Sequence, residues 1–361
     1  MEESSIKRTV GMDLGDKNHV LCILDEAGEV LDRPVVGNSA GKILVFFDQF
    51  EDPSSVRVAM ETGTHSPWIS RLLLERGFEV LVGNARKLRA IWQSDLKDDY
   101  RDAEILARIG RFDPQLLYPI IHRGAEAQAD LAVIRARDVL VRSRTSLISC
   151  ARGLVKSFGQ RLPACSAPAF ATKARDHVPE ELAPAINPLL DQIASLTATI
   201  REYDRCIEGL CEHCHPETAA VRQIQGVGAV TALAFVLTIE DPSRFKKCRS
   251  IGPFLGLTPR RDQSGTTDKQ LPISKAGDTC LRRLLVQAGH YILGPFGPDC
   301  DLRRFGLRIA SRGGKAGKKR AATAVARKLA VLMLQLWKSS EKYEPFHRRP
   351  ANEAKSVKPA A

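Results

Sequence analysis

The sequence predicts an α/β domain followed by an all-α region, and three features of the chain carry that reading. Residues 6–112 alternate β-rich runs with amphipathic helical runs, as a layered α/β domain does. Residues 125–158 and 186–210 keep apolar residues at helical spacing among many arginines, which reads as a long helical hairpin or coiled coil. Beyond residue 216 shorter helical patterns are separated by Gly- and Pro-containing blocks, a mostly helical C-terminal domain. The expected divisions are therefore 1–112, 113–215, 216–340, and a Pro-, Lys- and Ala-rich tail, 341–361, expected to be disordered.

Taken in order, residues 9–14, 20–24 and 29–36 are β-rich, with turn chemistry at Asp25-Glu26-Ala27-Gly28, so the domain opens as an antiparallel meander. An amphipathic helix is expected over 41–50, a strand over 56–61, and a helix over 67–76 that Gly77 ends as a C-cap. A buried strand over 78–82 and a basic helix over 84–92 follow. Between the two long helices, 159–184 reads as a connecting loop with a short helix, and 321–337 as an apolar helix that packs on the C-terminal core. The long pair suits either an intramolecular spacer or a dimerising element, and its arginine face suits either solvent or a nucleic-acid backbone.

Composition narrows the partners. In 361 residues, 54 Lys+Arg against 42 Asp+Glu leave a formal charge of +12, which points to a polyanion, nucleic acid before anionic membrane. No apolar run reaches the roughly 18 residues that span a bilayer, the best being 229–239 and 329–337. The acidic N-terminus lacks the apolar core of a signal peptide, so the expected location is the cytoplasm, in association with the nucleoid. The nine cysteines show no disulfide framework and suit reduced thiols. Cys206, Cys211, His213, Cys214 and His215 form one zinc-ligand candidate, which lacks a second Cys-x-x-Cys half.

Four carboxylates carry the chemistry. Asp13 and Glu61 each stand near the carboxyl end of a predicted strand, where ligands collect in α/β sheets. In Lys97-Asp98-Asp99-Tyr100-Arg101-Asp102-Ala103, Asp99 and Asp102 share one face at a helix start. Acids there can simply favour the helix dipole, or they can hold a divalent cation against a phosphate. Asp98, at i, i+4 from Asp102, is the rival to Asp99 for the metal pair. His19 and His65 lie beside the acids and read as hydrogen-bonded neighbours.

The order strand–Asp13, strand–Glu61, helix–Asp99/Asp102 resembles the RNase H-like nucleases of the RuvC type. Residues 97–103 resemble the Lys-Thr-Asp-x-x-Asp-Ala signature of DEDD insertion-sequence transposases, the group described as bridge-RNA-guided recombinases; Asp98 stands where that signature has Thr or Ser. Later blocks are similar to the C-terminal domain of the same family: Gly256-Leu257-Thr258-Pro259-Arg260, Ser264-Gly265, Ser274-Lys275-Ala276-Gly277 and Leu281-Arg282-Arg283-Leu284-Leu285. Val221 to Ala232, with Gly226-Val227-Gly228 before a helix, looks like a helix-hairpin-helix whose backbone would approach a phosphate.

The resemblance implies a RuvC-like N-terminal domain whose Asp13, Glu61, Asp99 and Asp102 bind Mg²⁺, with Mn²⁺ as a substitute, and a C-terminal domain whose Ser264 is the nucleophile. It implies donor and target DNA, a structured guide RNA and assembly as a dimer or tetramer as well. Expected nucleic-acid contacts are Lys97, Gly226, Gly228, Arg260, Arg261, Lys275, Arg282, Arg283, Arg312, Lys315, Lys318 and Lys319, the last four in the densest basic tract. Ser274, beside Lys275, is the second candidate nucleophile.

Three rivals stand beside this reading. A RuvC-like structure-selective endonuclease would hydrolyse DNA without a serine adduct. A catalytically dead binding protein would keep DNA affinity without its carboxylates. An actin-like kinase would use Gly11-Met12-Asp13-Leu14-Gly15 as a phosphate loop, yet no second Gly-rich phosphate loop follows.

Overall fold

The computed structural model describes residues 6–88, 98–265 and 267–346. The chain divides into two compact units, Met1–Arg123 and Gly124–Ala361. The helical pair expected as a separate domain thus belongs to the second unit, because both its long helices share apolar core with the C-terminal region.

The first unit holds β1 (Arg8–Leu14), β2 (Asn18–Leu24), β3 (Val30–Asp32), β4 (Val35–Gly37), α1 (Ala40–Phe47), β5 (Val56–Glu61), α2 (Ser66–Glu75), β6 (Glu79–Gly83), α3 (Ala85–Leu88) and α4 (Asp99–Phe112). The sheet runs β3-β2-β1-β5-β6, with β4 on β2; β1 is antiparallel to β2 and parallel to β5, and β6 is parallel to β5. A mixed sheet with this order is consistent with an RNase H-like domain. The run expected as one strand over 29–36 is two short strands, because Pro34 has no N–H for the ladder and only its carbonyl is used, by Leu21 N. Of the helix expected over 84–92, residues 85–88 are helical and 89–92 lie outside the described residues.

The alternation along β1 and β5 sets the two faces of the sheet. Val10, Met12, Val58 and Met60 point to a core with Ile43, Phe47, Ile69 and Leu73 of α1 and α2. Gly11 and Ala59 point the other way, to α4, which packs Ala103, Leu106 and Ala107 on the sheet. The approach is close: a Cβ on Gly11 would lie 2.0 Å from the Ala103 carbonyl oxygen, and one on Gly110 would lie 2.8 Å from Ala59 Cβ.

The second unit is built on α5 (Ala125–Lys156), α6 (Phe170–Arg175) and α7 (Ala183–Gly209), then α8 (Thr218–Arg222), α9 (Ala229–Ile239) and α10 (Ile251–Phe254). It continues with a two-stranded ribbon, β7 (Pro259–Ser264) and β8 (Thr267–Ile273), and ends with α11 (Thr279–Leu293), α12 (Asp301–Ala310) and α13 (Gly314–Ser339). The long pair α5/α7 has its own small core around Phe170, Ile186 and Leu190, and its arginines are largely occupied within the fold. Arg137 pairs with Asp204 at 2.6 Å, Arg135 with Asp278 at 3.2 Å, and the buried Arg144 donates to Thr197 Oγ1 at 3.3 Å.

Nearly every residue of α9 is buried, in a core shared with α11 and α13. Gly226 (φ +96°) makes the turn before α9, and a Cβ there would lie 2.8 Å from Tyr291 Cδ1, so this glycine is required by packing. The first residues of the expected disordered tail are tied down: Tyr343 N donates to Gln223 Oε1 at 2.9 Å, and Asp301 N to the Pro345 carbonyl at 2.9 Å. Residues 347–361 lie outside the described residues. Among the described residues no helix is long and apolar enough to cross a membrane.

Candidate active site

Asp13 is two residues beyond Gly11 on β1, and Glu61 two beyond Ala59 on β5, so both carboxylates leave the sheet on the face that α4 covers. The parallel register ends at Met12 opposite Met60, which sets the two acids side by side at the carboxyl ends of neighbouring strands. Gly11 seats Ala103 and Ala107 of α4 on β1, and this brings the first turn of that helix, with Asp99 and Asp102, to the same end. The Asp13 carboxyl is pushed up to about 6, first by burial and then by the negative charges of Asp99, Asp102 and Glu61. Asp13 thus carries the influence of acids from a neighbouring strand and from the start of α4.

Asp98 has a different task. Its side chain accepts from Tyr100 N at 3.1 Å, and its backbone carbonyl accepts from Asp102 N at 2.9 Å, so it is the N-cap of α4. Thr, Ser and Asp are all N-cap residues, which explains why Asp98 can stand where the signature has a hydroxyl residue.

On the opposite face, at the same end of the sheet, Asn38 joins the loops that follow the two strand-end acids. Its Nδ2 donates to the Asp16 carbonyl at 2.8 Å and lies 3.1 Å from His65 Nε2; its Oδ1 lies 3.1 Å from Nε2 of the fully buried His19. Burial lowers the pKa of His19, so it is a neutral ring donating to Asn38. Asn38 was not legible as a site residue, since nothing local marks an asparagine that bridges two distant loops.

The donor set fits a hard divalent cation. It consists of carboxylate oxygens only, and such a cation would offset the burial and the neighbouring negative charges that raise Asp13. Among the described residues, no three His, Cys, Asp or Glu side chains already stand grouped as a metal cage. The Cys/His candidates are spread as well: Cys211 Sγ faces the Ala229 carbonyl at 3.8 Å, and His215 Nε2 meets Asp130 at 2.7 Å.

In the second unit, Ser264 ends β7 opposite Thr267, next to Gly265 (φ +54°), and is exposed; among the described residues its hydroxyl has no hydrogen bond. Ser274 is half-buried, with Oγ accepting from Ala276 N at 3.4 Å. Arg260, Arg261, Lys275, Arg312, Lys318 and Lys319 are exposed; Arg261 is held bidentately by Asp268, and Arg283 pairs with Asp138. Lys97 lies outside the described residues, as does the Lys315 side chain.

Arg282 is the correction. Expected at a nucleic-acid backbone, it is buried instead, and its guanidinium donates to the carbonyls of Leu255 (3.2 Å) and Ala276 (2.6 Å) and to Thr279 Oγ1 (3.0 Å). Its neighbour Arg283 takes the exposed side of the helix. Arg282→Met should cost about 3 kcal/mol in urea unfolding, since two buried carbonyls lose their donor. A loss below about 1 kcal/mol would contradict this bracing role.

A mixed sheet with acids at two adjacent strand ends under an acid-bearing helix start defines a DEDD-type α/β domain, joined here to a largely helical C-terminal region. Two family models match in order: a DEDD transposase of the IS110 type, described as "Transposase", over residues 10–159, and "Transposase IS116/IS110/IS902 family" over residues 218–295. Together they cover more than half of the chain. The chain is 26% identical over 345 residues to the transposase for insertion sequence element IS1111A of Coxiella burnetii, covering 93% of this chain and 91% of that protein. It is 28% identical over 255 residues to a probable family 20 transposase of Pseudomonas aeruginosa, covering 68% and 74%. A third relative, the transposase for insertion sequence element IS1328 of Yersinia enterocolitica, is 29% identical over 235 residues, covering 64% and 69%. The chain belongs to the DEDD-type IS110 family of insertion-sequence transposases.

Proposed function

We propose that this transposase breaks and rejoins DNA strands at the ends of an insertion sequence, with Asp13, Glu61, Asp99 and Asp102 holding Mg²⁺ and Ser264 acting as nucleophile. The observation that supports it most is the placing of Asp13 and Glu61 at the carboxyl ends of neighbouring parallel strands, with Asp99 and Asp102 on the first turn of the helix packed on the same face; burial and then the charges of these acids raise the Asp13 carboxyl. Mg²⁺, or Mn²⁺ in its place, would neutralise charge on the scissile phosphate and the leaving oxygen.

The residues divide the work. The carboxylates would hold the cation at the strand ends, and the exposed Ser264 hydroxyl is available to attack phosphorus. A Ser264 Oγ–P bond would form as one P–O bond of the DNA backbone breaks, with the serine proton lost and the leaving oxygen taking one up. Arg260, Lys275, Arg312, Lys318 and Lys319 are exposed cations suited to phosphate contacts. Gly226 and Gly228, and the paired Arg261 and Arg283, come after them in that role. The same family reading suggests a structured guide RNA, assembly as a dimer or tetramer, and work on the nucleoid in the cytoplasm; sequencing the nucleic acid that copurifies with the protein tests the guide.

The test of the chemistry is a covalent protein–DNA adduct. Ser264→Ala should abolish the adduct and strand joining while DNA binding persists, and Ser274→Ala should keep both. Adduct formation by Ser264→Ala with loss in Ser274→Ala would move the nucleophile to Ser274. Cleavage by both variants with no adduct in any form would instead establish a hydrolytic endonuclease.

A further inference from the structure

We propose that the β7–β8 ribbon is an arm that enters the major groove of duplex DNA. This rests on the function proposed above only in taking DNA as the substrate. All six residues of β7 are exposed, and so are Asp268 and Lys269 of β8. Leu271 and Ile273 are half-buried at the root of the ribbon, but its outer half shows only polar and charged side chains among the described residues and gains little from burial, and isolated hairpins are marginal in water. That polar outer half needs another reason to exist.

The root of the arm is built to hold it in place. Gly256 (φ +65°) and Gly277 (φ +69°) let two chain segments cross: a Cβ on the first would lie 2.2 Å from Ala276 N, and on the second 2.2 Å from the Phe254 carbonyl oxygen. Ser274 N donates to the Thr258 carbonyl at 2.9 Å, and the buried Arg282 ties Leu255 to Ala276 from beneath. The brace sits at the base of the ribbon. The hairpin is therefore an exposed element on a fixed mount.

Its dimensions and chemistry select the partner. Strands of six and seven residues extend about 20 Å, and the B-form major groove, roughly 12 Å wide, admits a two-stranded ribbon, whereas the A-form major groove is too narrow for side chains. Asp262 lies opposite Lys269 on the face that carries Ser264, and Arg261 grips Asp268 on the other. These pairs neutralise one another, so the ribbon is not a bare phosphate clamp. The exposed side chains of Gln263 and Arg260 make no hydrogen bond or ion pair among the described residues, and both side-chain types read base edges. The chain's overall charge of +12 supplies the attraction to the duplex.

The experiment attaches an iron chelate to the full chain through Gln263→Cys, with the exposed Cys150, Cys206 and Cys214 changed to Ser and the chelate-treated parent without Gln263→Cys as the blank, checks binding against the wild type, and maps hydroxyl-radical cuts on a mixed-sequence DNA duplex. A reagent in the major groove leaves cuts displaced to the 5′ side on the two strands, and one in the minor groove displaces them to the 3′ side. We expect the 5′ displacement, and about tenfold weaker binding when the major groove is filled by glucosylated hydroxymethylcytosine. A 3′ displacement, no cuts, or equal affinity for an RNA duplex of the same sequence overturns the inference. Ser264→Ala in the tethered protein should leave the cuts unchanged. Major-groove cuts with strand joining intact in Ser264→Ala would refute the nucleophile and leave the arm standing; minor-groove cuts with joining lost would do the reverse.

Discussion

Asp13→Asn is expected to make the ion-free protein more stable at neutral pH while lowering strand breakage about a thousandfold, the loss of several kcal/mol of transition-state stabilisation. The folded Asp13 carboxyl keeps its proton to about pH 6, whereas the unfolded one releases it near 3.8. Between those values the native state binds more protons than the unfolded state, so stability falls as the pH rises and is lowest above about 6. Asparagine removes that charge. Because Asp13 is only part-buried, solvent screening trims the gain to about 1–2 kcal/mol. Denaturant unfolding in chelator at pH 8 should show the difference, and the same measurement near pH 3.5 should not. Added Mg²⁺ should stabilise the wild type more than the variant. Equal stability of the two proteins at pH 8 would mean that the acids do not converge.

Gly11→Val should damage both the fold and the site. Any Cβ at this position meets the Ala103 carbonyl oxygen at 2.0 Å and Ala107 N at 2.4 Å, both backbone atoms that cannot rotate away. The helix carrying Asp99 and Asp102 must lift from β1, at a cost of about 3 kcal/mol. The Asp13 carboxyl should then titrate closer to an ordinary carboxylate, which carbon-detected NMR can follow. Gly41→Ala is the control: nothing lies within 4 Å of a Cβ there, and α1 should be neutral or slightly more stable. A Gly11→Val protein with wild-type stability would show that α4 does not rest on β1.

Part of the site could be read from local residues. Asp13 and Glu61 each follow a run of β-forming residues, and Asp99 and Asp102 precede a helical pattern, so their places at strand ends and a helix start follow from short-range preference. The basic tract that leads into the first turns of α13 was legible for the same reason, as a run of charges. The β7–β8 ribbon was not, since β7 is exposed along its whole length and has no alternation of apolar and polar residues to announce it. Arg282 and Arg283 are adjacent in a basic motif, and only the helix that carries them sends one inward to brace backbone and the other outward to Asp138.

By itself the sequence determined the kind and order of the elements, the acids they carry and the family to which they belong, because these depend on residues within a turn or two of one another. Only the tertiary structure decided that α4 packs its acid-bearing first turn over β1, that Asp98 caps α4, and that the hairpin has a braced root. Those outcomes depend on which distant backbones can touch, and here glycine and alanine at β1, α4 and the ribbon base permit the contact.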